Sequence, residues 1–144
     1  MRCDLCRHRL LRRHRGEARA HRALPRLRRH ARRRADRQRR AGDLPEGASF
    51  GASVAIDTET LGLDPHRDRL CLVQLSRGDG SADLVQIAPG QTRAPRLEKL
   101  LADPACLKLM HFGRFDMAVL AKTFGVMPAP VYCTKIASKL VRTY

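Results

Sequence analysis

The chain carries no Val, Ile or Phe before Phe50, and from there short apolar runs alternate with stretches of helical period. Ser53 to Asp57, Leu70 to Ser76 and Ala82 to Ala88 are rich in Val, Ile and Leu and are bounded by turn-forming clusters, so each is expected to be a strand. The link Arg77-Gly-Asp-Gly-Ser81 is too short for a crossover, which predicts a hairpin between the second and third strands. The link from Leu63 to Arg69 is also short enough for antiparallel neighbours. Pro95 to Ala102 has apolar residues at helical spacing behind an initial Pro, and Asp103-Pro104 ends it. Leu107 to His111 then reads as a fourth strand reached through that helix, and Gly113 to Phe124 as a second helix closed by Gly125. Val131 to Cys133 fits a short fifth strand, with Thr134 as the N-cap of a last helix running into Tyr144. Folded structure is expected to start near Ser49.

Composition adds one asymmetry. The formal charge is +15, but residues 1–40 hold 17 Arg, no Lys and three acidic residues, a net of +14, while the remainder is nearly neutral. Those 40 residues also lack Val, Ile, Phe, Tyr, Ser and Thr, so they bury too little apolar surface to offset the entropy of ordering. Residues 1–41 are therefore expected to be a disordered arm, 42–52 a linker and 53–144 the folded part. Two readings of the arm stay open. It is either a phosphate-gripping tail with strongly salt-dependent affinity, or a GC-rich stretch translated upstream of the true start or in the wrong frame.

Of five cysteines, Cys3 and Cys6 form a C-x-x-C followed by His8 and His14, but no second pair stands at finger or ribbon spacing, which argues against zinc. Cys71, Cys106 and Cys133 lie in apolar runs and read as small core residues of a reducing compartment, hence a cytoplasmic protein. No apolar stretch approaches the length of a membrane span, and the arm lacks both the Ser of a transit peptide and the apolar segment of a secretory signal.

The candidate chemistry is acidic. Asp57 and Glu59 stand one residue apart where the first strand gives way to a Gly-containing turn. A strand's period of two returns both to one side, and two carboxylates so close repel unless a proton, a basic side chain or a divalent cation intervenes. Hard cations such as Mg²⁺ or Mn²⁺ suit such oxygens. An isolated Asp-x-Glu occurs by chance about once in a chain of this size, and a solvated turn would explain it. Its weight comes from context: Thr58 and Thr60 flank it, Gly62 follows, and Asp116 stands in the first turn of the helix after the fourth strand.

The runs Asp57-Thr58-Glu59-Thr60 with Gly62-Leu63, and His111-Phe112-Gly-Arg-Phe115-Asp116, in this order of strands and helices, resemble the DEDD superfamily of 3′-5′ exonucleases, most closely the ribonuclease D group. The resemblance covers residues 50–144. It implies a ribonuclease H-like α/β fold, a mixed sheet that opens with an antiparallel three-strand meander and continues helix-strand-helix. It also implies hydrolysis of phosphodiester bonds from a 3′ end, RNA more than DNA, by two divalent cations, Mg²⁺ or Mn²⁺. Asp57, Glu59 and Asp116 would then hold metal. Thr58, Thr60, Leu63, His111, Phe112 and Phe115 would meet a single-stranded substrate, Leu63 as a wedge beside the terminal base. Many relatives carry Asn where Phe112 stands. The family's third motif, Tyr-x-x-x-Asp or His-x-x-x-Asp, is absent, and Tyr144 does not supply it, so the chain is expected to be a C-terminally truncated domain of weak or no activity. A rival reading is a non-catalytic nucleic-acid binder acting through the Arg-rich arm. Neither reading implies a membrane or a protein partner.

Overall fold

A computed structural model of the chain describes residues 36–142. The readings placed on Cys3, Cys6 and the first 35 residues, and on Tyr144, lie outside them. Six strands form one mixed sheet in the order β1-β4-β3-β2-β5-β6. They are β1 (Asp36–Ala41), β2 (Ser53–Thr60), β3 (Leu70–Ser76), β4 (Ser81–Gln86), β5 (Leu107–Met110) and β6 (Val131–Cys133). Three helices alternate with the later strands: α1 (Pro95–Ala102), α2 (Arg114–Phe124) and α3 (Thr134–Val141).

The expected meander is present. β2 pairs antiparallel with β3, and β3 with β4. The two helical crossovers then bring β5 parallel to β2 and β6 parallel to β5. Alternation along β2 sends Val54, Ile56 and Thr58 into the interior, where Val73, Leu75, Val85 and Met110 from neighbouring strands meet Leu97 and Leu101 of α1 and Val119, Leu120 and Phe124 of α2. Ala55, Asp57 and Glu59 face the other way and are exposed. α2 ends as its sequence requires: Gly125 adopts φ 70°, a left-handed conformation, and its amide closes on the Ala121 carbonyl.

Residues 36–52 depart from expectation. Asp36–Ala41, expected to belong to an unstructured arm, is a strand parallel to β4. Its sequence is polar and almost every side chain is exposed, so backbone pairing and one ion pair hold it rather than apolar burial. Arg40 Nε lies 2.9 Å from Asp83 Oδ1, and Arg77 Nη1 lies 3.1 Å from Asp83 Oδ2. Residues 42–52 are no mere linker, since Leu44 and Phe50 join the core. Asp43 caps α1 from outside it, accepting the Arg96 and Leu97 amides at 3.0 and 2.9 Å.

The last helix also differs in detail. Cys133, not Thr134, is its N-cap, and the helix ends at Val141. Thr134 turns its hydroxyl to the Met110 carbonyl at 3.3 Å. No helix among the described residues is long and apolar enough to cross a membrane.

Candidate functional site

Two neighbouring strands set the acidic centre. β2 presents Asp57 and Glu59 on its exposed face, as the period of two demands, while β3 places Gln74 directly opposite Asp57. Gln74 Nε2 donates to Glu59 Oε1 at 3.2 Å. The register breaks between Glu59 and Thr60, and the strand turns there.

Asp116 comes to the same region from the covered side. It lies in the first turn of α2 and is buried. The Thr58 hydroxyl donates to its Oδ1 at 2.6 Å and the Thr58 amide donates to the same oxygen at 3.1 Å. Oδ2 receives no such bond among the described residues. Thr58, expected to touch substrate, thus serves first to fix a carboxylate. None of the ion pairs among the described residues involves Asp57, Glu59 or Asp116. Three hard carboxylates lacking basic partners, one of them with a free oxygen, are a donor set that fits a divalent cation. No group of three His, Cys, Asp or Glu side chains among the described residues is already gathered around one point.

The remaining candidates fall into two clusters. In the turn after β2, the Thr60 hydroxyl donates to the Gly62 carbonyl, and Leu61 and Leu63 stand out, Leu63 being 87% exposed. Gly62 is required by a close approach: a Cβ there would lie 2.3 Å from Asp68 Oδ2. Asp68 accepts the Asp64 amide at 3.0 Å and Arg67 Nε at 2.9 Å, and the Arg67 guanidinium, followed by the Asp64 amide, holds its carboxyl below the usual range. The wedge-like display of Leu63 therefore rests on a braced turn.

The second cluster follows β5. His111 and Phe112 are exposed, and Phe112 has φ 57°, a backbone conformation uncommon for any residue with a side chain. Gly113 must lack a side chain, because a Cβ there would come within 2.6 Å of Met110 Cβ. His111 Nδ1 meets Thr134 Oγ1 at 3.0 Å. The same Thr134 hydroxyl also lies 3.3 Å from the Met110 carbonyl, so it bridges His111 and the end of β5. Phe115 is half-buried and packs against the core instead. A cavity of about 650 Å³ is lined by Asp57, Gln74, His111 and Thr134 together with apolar residues of β2, β3 and β5. It takes in one residue of each motif, Asp57 and His111, and neither Glu59 nor Asp116.

Gln74 carried no sequence signal, and Thr134 and Cys133 were marked only as an N-cap and a core residue. Cys133, read as a small core residue, is half-exposed and its thiol is pulled below the usual cysteine range by the Ile136 amide first, then by those of Gly113, Phe112 and Lys135. A Cys at a helix start was the only available hint.

A family model described as 3′-5′ exonuclease matches residues 38–143. Among solved structures, Brucella melitensis NrnC with bound Mg²⁺ is 61% identical, with a TM-score of 0.73 over 76% of this chain and 55% of that one. Escherichia coli RNase D, described as an exoribonuclease involved in structured RNA processing, is 31% identical with a TM-score of 0.55, covering 65% of this chain and 24% of its own. Ribonuclease D of Granulibacter bethesdensis is 38% identical over 85 residues, which are 59% of this chain and 21% of that protein. The chain thus spans about a fifth of the ribonuclease D relative's length and just over half of NrnC. The mixed sheet and its helices are those of the ribonuclease H-like exonuclease fold.

Proposed function

Because the chain belongs to the 3′-5′ exonuclease family, we propose that it hydrolyses phosphodiester bonds from the 3′ end of single-stranded RNA, with Asp57, Glu59 and Asp116 holding the divalent cations the reaction needs. The observation that carries this reading is the exposed Asp57 and Glu59 pair, without a basic partner among the described residues, beside an Asp116 fixed by Thr58. Two ions, Mg²⁺ or Mn²⁺, would lower the pKa of the attacking water and stabilise the leaving oxygen.

The chain's own residues do the rest. Thr58 holds Asp116 in place through its Oδ1. Thr60, through the Gly62 carbonyl, sets the turn that offers Leu63 to the terminal base. His111 and Phe112 line the approach of the strand, aromatic faces being tolerant of base identity, and Phe115 supports that edge from the core side. RNA is favoured over DNA because the ribonuclease D relatives are named for it, and an NrnC structure is described as bound to pGG. The three described cysteines are free thiols, in keeping with a cytoplasmic protein.

An assay on 5′-labelled RNA with Mg²⁺ tests the activity. Shortening from the 3′ end is expected, however slow, and Asp57→Asn and Asp116→Asn should each abolish it. Calorimetric titration with Mn²⁺ provides a readout independent of turnover. Binding that both variants leave unchanged would refute the assignment.

A further inference from the structure

The cavity has one acid, Asp57, and no Lys or Arg in its lining, yet the substrate proposed for it is a polyanion. Arg77, Lys108 and Lys135 each adjoin a lining residue, but Arg77 is paired with Asp83 and Lys108 is enclosed on two carbonyls, which leaves Lys135, next to Thr134. Lys135 is half-buried, and its Nζ stands 4.2 Å from the centroid of the Phe112 ring. Among the described residues the ammonium makes no ion pair or hydrogen bond and is held by the ring face alone. Phe112, whose neighbour His111 also lines the cavity, is 57% exposed and sits at φ 57°. A bulky residue persists in that conformation only where surrounding structure imposes it, and such residues gather at ligand-contacting positions.

These facts fit together chemically. An ammonium over an aromatic face at an exposed site is weakly held, so a phosphate competes for it easily. The same ring, with one side taken by the ammonium, offers its other side to a base. We propose that Lys135, resting on Phe112, is a substrate-positioning residue. In this role it receives a backbone phosphate of the RNA beside the bond to be cut, while Phe112 stacks on the adjoining base. The proposal rests on the exonuclease reading and extends it to a residue outside both motifs.

The rival explanation is a staple that merely fastens the start of α3 to the turn before α2. Binding of a five-nucleotide RNA, measured by calorimetry on the full chain with Ca²⁺ replacing Mg²⁺ to suppress cleavage, separates the two. Lys135→Gln should weaken binding several-fold and lower the slope of log affinity against log salt by about 0.7, the share of one phosphate contact on a single strand. Phe112→Gly should weaken binding on the order of tenfold, the worth of a lost stacking platform. The same variant should leave the urea midpoint unchanged or raised, because Gly adopts the left-handed conformation freely. A staple gives the opposite pattern, with lost stability and unaltered affinity and salt slope, and would overturn the proposal. Failure of the underlying reading looks different. The unmodified chain would then show no binding that depends on both Ca²⁺ and Asp57, and the proposal would fall with it.

Discussion

Thr58→Val should weaken the protein and its metal site together. The substitution keeps the side-chain shape and removes only the hydroxyl that donates to Asp116 Oδ1 at 2.6 Å, leaving the amide bond at 3.1 Å. Thr58 is 9% exposed and Asp116 7%, so water does not readily replace the lost donor. A hydrogen bond to a charged group is worth roughly 1.5–3 kcal/mol, and because one donor remains we expect a loss near the lower end, about 1.5 kcal/mol, by urea denaturation without metal. Asp116→Asn makes the comparison informative. Asn retains an acceptor for both Thr58 donors and removes a buried charge, so weaker hydrogen bonds and relieved desolvation nearly cancel, leaving a change within about 1 kcal/mol. Mn²⁺ calorimetry should then rank the variants in a different order: Thr58→Val weakened by about 10- to 100-fold, as for residues that orient a ligand, and Asp116→Asn lacking the site's full affinity altogether. If Thr58→Val loses stability as expected but binds Mn²⁺ like the unmodified chain, Thr58 is a packing residue and its role in orienting Asp116 is wrong.

Four further outcomes follow from the geometry. Asp83→Ala strands Arg40 and Arg77 without their shared carboxylate and should cost roughly 3 kcal/mol; a urea-derived loss below 1 kcal/mol would mean β1 is not held by that pair. Gly62→Ala forces a Cβ onto Asp68 and should displace Leu63, reducing RNA binding without touching any carboxylate of the site, and unaltered affinity would count against the braced turn. Lys108 is fully enclosed, its Nζ donating to the Asp103 and Ala129 carbonyls at 2.5 and 2.7 Å, and burial lowers its pKa below the ordinary lysine value. The unfolded chain therefore binds more protons between that lowered value and the ordinary one, so stability contributed by this group rises with pH across that window, and Lys108→Met should flatten the rise. Cys133 should be alkylated by iodoacetamide ahead of Cys106, whose thiol is buried and pushed up, and peptide mass spectrometry showing the reverse order would contradict the amide cradle around Cys133.

Most of the sheet was legible because its strands carry their own apolar signal. Leu70–Ser76 and the helix Pro95–Ala102 match expectation at both ends, and Gly125 closes α2 as the sequence indicated. β1 was illegible for a physical reason. Asp-Arg-Gln-Arg-Arg-Ala has no period-two hydrophobicity, because an edge strand exposed on both faces needs none. Its pairing is decided by backbone hydrogen bonds and by Asp83, more than 40 residues away. Asp43 capping α1 across a gap of 53 residues is illegible in the same way. At the site, sequence named the three carboxylates and left out how they are held. Nothing local distinguishes Thr58, which grips Asp116, from Thr60, which braces a turn.

That difference between two threonines explains how a site is assembled from opposite sides of one sheet. Alternation along β2 puts Asp57 and Glu59 on the open face and Thr58 between them on the covered face, where α2 packs. Asp116 belongs to α2 and by position alone would be a buried acid unrelated to the pair. The bonds from the Thr58 amide and hydroxyl tie it to the very residue that separates Asp57 from Glu59. The first turn of α2 is thereby registered to β2 to within one residue. A one-residue slip of β2 would send both acids into the apolar core and bring a threonine to the surface, so the burial of Val54 and Ile56 that stabilises the sheet also fixes the placement of the acids. Packing and site geometry are set by the same alternation.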